Sequence, residues 1–126
     1  MKHLLIVAHG SRREASNDEV RRLAERIAGL PEASRFSSVR AAFLELAAPS
    51  IPDGIQQCVD AGATQIAVFP YFLSAGRHVV SDIPTEVAVK QQEYPDIDIH
   101  ITPWLGSADT VADLILQIVK HPEHTA

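Results

Sequence analysis

Apolar runs of strand length alternate along this chain with stretches in which apolar residues recur every three or four positions. Lys2 to Ala8 is the first run, and Val20, Leu23, Ala24 and Ile27 then mark one face of a helix whose other face carries Glu19, Arg21, Arg22 and Glu25. A second strand is expected around Val39 to Leu44. The segment Pro49 to Ala61 then reads as a helix with Pro52 in its first turn and Gly62 as its stop signal. "QIAVFPYFL" is a third strand that leaves at Pro70, and a helix is expected within Val79 to Tyr94, where Pro84 must fall in a first turn or produce a kink. "DIHITPW" gives a shorter fourth strand. Ala108, Val111, Ala112, Ile115, Ile118 and Val119 make a last amphipathic helix.

Four strands alternating with four helices predict an α/β fold: a single open, parallel four-stranded sheet with helices on both faces and right-handed crossovers. The unbroken apolar character of "LLIVA" and "IAVF" fits strands buried on both sides. A chain of 126 residues supports one domain. Its expected extent is 1–120, with 121–126, "HPEHTA", a frayed tail too poor in apolar residues to dock. No apolar run approaches the ~20 residues of a bilayer span, and Leu4 to Ala8 is too short for a secretory signal core, so no membrane association is expected. The single Cys58 excludes an internal disulfide framework and fits a reducing compartment, which points to the cytoplasm. A formal charge of −5 argues against nucleic acid as a partner, because that binding draws its strength from clustered Lys and Arg.

In open parallel sheets ligands bind beyond the carboxyl ends of the strands. His9 follows the first strand, Glu45 the second, and Arg77 and His78 the third. Two imidazoles and a carboxylate on one rim suit a divalent first-row metal ion, and imidazole also accepts protons near neutral pH. Each residue taken alone has a plainer role. His9 and His78 can hydrogen-bond loop carbonyls, Glu45 can be a solvated acid, and Arg12 and Arg13 can pair with Glu14 or Asp18. Their fall at three successive strand ends favours a shared site. Arg12, Arg13 and Arg77 concentrate positive charge there in an acidic chain, and amides after Gly10, beginning with Ser11, are candidates to receive an anion. Such a centre asks for a carboxylate-bearing substrate. His3 and His100 lie within strands and read as structural; His121 and His124 read as incidental.

The segments "IVAHGSR", "FLELAAPSI" and "FPYFLSAGRHVVSDIP" resemble the signature stretches of the small class II tetrapyrrole chelatases, the CbiX-type sirohydrochlorin cobaltochelatases and their ferrochelatase relatives. The resemblance runs over nearly the whole chain in order. It implies that His9 and His78 are the metal-binding and proton-accepting pair, that Glu45 assists, and that Ser11, Arg12, Arg13 and Arg77 hold a carboxylate-rich tetrapyrrole. It also implies half of a two-lobed chelatase, completed as a homodimer. The metal ion is then a substrate, Co2+ first with Fe2+ or Ni2+ as alternatives, and no organic cofactor is needed. A non-catalytic metal carrier or sensor using the same histidines is the alternative. A hydrolase or phosphoryl enzyme fits poorly, since the chain has no G-x-S-x-G elbow and no Walker A loop.

Overall fold

The computed structural model describes residues 1–77 and 81–120. Its strands are β1 (Lys2–Ala8), β2 (Ser38–Phe43), β3 (Gln65–Pro70) and β4 (Asp98–Ile101), and its helices are α1 (Glu14–Ala28), α2 (Ile51–Asp60), α3 (Ile83–Glu93) and α4 (Thr110–Lys120). The strands are all parallel and lie in the order β2-β1-β3-β4. The order reverses between β1 and β3, and at such a switch point the outgoing loops run to opposite faces and leave a crevice. The expected α/β architecture is therefore observed.

Side-chain alternation assigns the two faces. Leu5 and Val7 of β1, Ala42 of β2, Ile66 and Val68 of β3 and Ile99 of β4 point into one core with Ile51, Ile55 and Cys58 of α2 and Ile83 and Val87 of α3. Ile51, Ile55 and Cys58 are spaced four and three apart, so one stripe of α2 is driven into the sheet and all three are fully buried. Burial pushes the Cys58 thiol up to about 11, which leaves it an inert packing residue. The opposite face carries Ile6 and Phe43, and α1 covers it on the β2 side, with the Arg21 guanidinium 5.1 Å from the Phe43 ring centre.

The helix starts follow their sequence signals. Ser50 caps α2 by accepting from the Asp53 amide at 3.2 Å, and Pro52 and Pro84 lie in the first turns of α2 and α3, where a missing N–H costs nothing. Pro84 thus starts α3 and does not kink it. The helix α4 forms where its apolar spacing places it. Its stripe, however, is not buried: Leu114, Ile115, Ile118 and Val119 are all more than half exposed. The tail 121–126 lies outside the described residues.

His3 is structural as expected, and it is buried at 1% exposure. The Ser38 hydroxyl accepts from Arg40 Nε at 3.2 Å and donates to His3 Nδ1 at 2.6 Å, so the ring hydrogen sits on Nε2, which has no partner. Burial first, then Arg40 and the terminal amine, hold its pKa below the usual 6.5. The neutral ring is favoured only in the folded state, so the stability tied to it is complete above pH ~6.5 and is lost as pH falls through the lower folded value. Calorimetric melting from pH 8 to pH 5 should show the wild type losing stability below pH ~6.5 and His3→Leu losing less over the same interval; equal losses would remove His3 from the account.

Candidate functional site at the carboxyl edge of the sheet

Beyond the carboxyl ends of β1 and β2 the parallel ladder does not stop. The Leu44 amide donates to the Ala8 carbonyl at 3.0 Å, and the Glu45 amide donates to the His9 carbonyl at 3.1 Å. This continuation brings the two side chains together, and His9 Nε2 lies 2.8 Å from Glu45 Oε1. Both remain accessible, with side chains 47% and 56% exposed, so the pair faces the crevice and is not a core contact. A neutral His9 donating its Nε2 hydrogen to the carboxylate carries its lone pair on Nδ1. That is how a carboxylate sets the tautomer of a metal-binding or proton-accepting histidine.

Gly10 makes the approach feasible. Its φ is +96°, and a Cβ there would stand 1.7 Å from the Glu45 carbonyl oxygen. The facing loop is pinned too: Leu46 sits at φ 64°, Phe43 N–H donates to the Pro49 carbonyl at 2.9 Å, and Arg21 donates to the Ala48 carbonyl at 2.8 Å. A leucine in the left-handed region persists only where its surroundings hold it.

Two residues that build this rim were not singled out from the sequence. Asn17, 1% exposed, accepts from the Ser11 amide at 2.9 Å and donates to the Ser11 carbonyl at 2.8 Å, which clamps the turn after His9. Arg21 reaches Asp18 and Glu14 as well as the β2–α2 loop. The signal for Asn17 was present: an amide side chain on the apolar face of α1, three positions before Val20 and seven before Ala24. The expectation of open amides after Gly10 needs correction. The Ser11 amide is taken by Asn17, and the Arg13 amide donates to Ser11 Oγ at 3.0 Å, because these groups organise the entry into α1. Glu14 and Asp18 are bound by Arg21, and Arg12, Arg13 and Arg77 are exposed. His78 lies outside the described residues.

Next to Glu45 is a hollow of about 200 Å³ lined by Leu44, Glu45, Asp82, Thr85 and Glu86. Burial, and then the neighbouring Asp82, raise the Glu86 pKa above the usual carboxyl value. After β3, Tyr71, Phe72, Leu73 and Leu105 line a mostly apolar hollow of about 360 Å³. A larger one, about 670 Å³, lies between α3 and the amino end of β4, at the opposite edge from His9, so volume does not locate the chemistry. Among the described residues no three His, Cys, Asp or Glu side chains group closely enough to hold a metal ion. His9 and Glu45 supply two donors. His100, expected to be structural, is in β4 with a side chain 44% exposed and 3.7 Å from Asp98.

A family model for CbiX matches residues 3–121. The chain belongs to the CbiX family. It is 37% identical over 118 residues to the chloroplastic sirohydrochlorin ferrochelatase of Arabidopsis thaliana, covering 94% of this chain and 51% of that protein. It is 31% identical over 141 residues to the sirohydrochlorin cobaltochelatase of Methanopyrus kandleri, covering 95% of this chain and 96% of that one. Among solved structures, SirB of Bacillus subtilis subspecies spizizenii in complex with cobalt aligns with a TM-score of 0.79 at 33% identity, over 94% of this chain and 50% of that chain. The chain thus spans about half the length of several of the relatives it matches. Among the described residues no helix is long and apolar enough to cross a membrane.

Gly10→Ala should be costlier than Gly62→Ala, although both glycines have a φ near +95°. A Cβ at Gly62 would meet only the Met1 sulfur at 3.6 Å, whereas one at Gly10 collides with backbone. We expect Gly10→Ala to lose roughly 1–3 kcal/mol more, read from denaturant unfolding; equal losses would mean that the close approach to Glu45 is not a constraint.

Proposed function

We propose that this protein inserts a divalent metal ion into sirohydrochlorin or a closely related carboxylate-rich tetrapyrrole, acting in the cytoplasm as a homodimer. The observation that carries the reading is the accessible His9–Glu45 pair at 2.8 Å on the rim of the sheet. Co2+ is the favoured ion, with Fe2+ or Ni2+ as alternatives. Support for Co2+ comes from the cobaltochelatase relative that matches over 96% of its own length. No organic cofactor is invoked.

Insertion exchanges two pyrrolic N–H protons for one dication, so the site must accept protons and hold an ion that is shedding water. Glu45 orients His9 and balances the charge that the imidazole gains on taking a proton or meeting the ion. His78 supplies the second imidazole in this reading, one histidine acting as ligand and the other as base. The hollow formed by Tyr71, Phe72, Leu73 and Leu105 suits the flat apolar body of a macrocycle, and Ser11, Arg12, Arg13 and Arg77 suit its peripheral carboxylates. A single lobe covers a macrocycle on one side only, and a second copy would enclose the other.

The test is the metal-dependent spectral change of sirohydrochlorin against a non-enzymatic control. His9→Ala and His78→Ala should each lower turnover by about 10²-fold or more with the fold intact. Near-normal turnover in either variant would overturn its assignment. At low salt, at least one of Arg12→Ala, Arg13→Ala and Arg77→Ala should raise KM about two- to fivefold with little change in kcat, since orientation by exposed charge is largely uniform binding. An unchanged KM in all three would mean that these arginines do not clamp the substrate.

A further inference from the structure

The helix α4 carries Val111, Leu114, Ile115, Ile118 and Val119 on one side and Asp113, Gln117 and Lys120 on the other. Such a stripe belongs against a protein surface. Yet α4 meets the rest of its own chain mainly at the short 3-10 turn Leu105–Ser107, and exposure along the stripe rises from 54% at Leu114 and Ile115 to 65% at Val119. The same chain carries a surface that lacks a helix. On the α1 face of the sheet, α1 packs on β2, leaving Leu4 and Phe69 only partly buried and His100 exposed. Beside them Leu23 and Ile27 of α1 are also only partly buried, and with Leu30 they line an apolar hollow of about 350 Å³.

We infer that α4 docks on this shelf of a second copy of the chain, between α1 and the β3–β4 side of the sheet, and that the exchange is reciprocal. The inference rests on the homodimer reading above and names the element that makes the dimer. One chain bears both a projecting apolar helix and a bare apolar shelf. Two copies related by a two-fold axis satisfy both sets at once, because what one donates the other accepts. Length supplies the second argument. Relatives such as the Arabidopsis thaliana protein have about as much chain again beyond the matched part, so a second unit of this size is present in them. A second copy fills that place here.

Complementation of two variants tests the exchange. Ile115→Glu with Ile118→Glu removes the donated stripe, and Leu23→Glu with Ile27→Glu removes the shelf. Circular dichroism first establishes that each variant keeps its helix content, and sedimentation velocity is then read over a concentration series. The wild type should be a dimer, and each variant alone should dissociate at a concentration at least tenfold higher. An equimolar mixture of the two should recover dimer, since one undamaged helix still meets one undamaged shelf. Three results would overturn the proposal. A wild type that stays monomeric at every concentration removes the homodimer itself. A dimer indifferent to both variants leaves the homodimer standing but assigns it to another face. Variants that dissociate but do not complement place α4 elsewhere than on the partner's shelf. Because sedimentation needs neither metal nor tetrapyrrole, none of these results depends on whether the protein is a chelatase.

Discussion

Everything at the rim depends on how closely the chain leaving β1 passes the chain leaving β2. The Gly10 backbone runs against the Glu45 carbonyl with no room for a Cβ, and the ladder bonds from Leu44 and Glu45 carry the pairing past the last strand residues. Given that approach, an imidazole and a carboxylate separated by 36 positions in the chain meet at hydrogen-bond distance. Asn17 clamps one wall from α1 through Ser11, and Arg21 ties down the other through Ala48. The site is therefore precise because it is built on backbone. Side-chain packing at the rim is loose, as it must be where a substrate enters.

The same arrangement resolves an electrostatic conflict. Glu45, Asp82 and Glu86 gather beside His9 in a small hollow, while Arg12 and Arg13 lie on the neighbouring turn. A dication and a polycarboxylate have opposite demands, and a rim with separate acidic and basic stretches can meet both. The acidic part is small and partly buried, which suits an ion; the basic part is exposed, which suits peripheral groups on a large ring.

Much of the fold was legible in the sequence because its signals are local. Periodicity marked every strand and helix, Pro52 and Pro84 marked helix starts, and parallel topology brought His9 and Glu45 to one edge. Non-local choices were less legible. Nothing in an amphipathic period says which surface will cover it, so the stripe of α4 could be read but not its exposure. A polar residue on an apolar helix face can be an error of pattern or a clamp, and Asn17 became a clamp only once Ser11 was seen against it. The amides after Gly10 looked open to an anion because their side-chain partners arrive through the turn itself.

The account stands most directly on whether metal bound at the rim is delivered to a ring. Parallel time courses of sirohydrochlorin absorbance with Co2+, Ni2+ and Fe2+, with and without the wild-type protein at catalytic concentration, measure that. The account predicts multiple-turnover acceleration over the non-enzymatic rate with at least one ion, Co2+ first. Stoichiometric metal binding with no acceleration for any of the three would contradict it and make the protein a carrier.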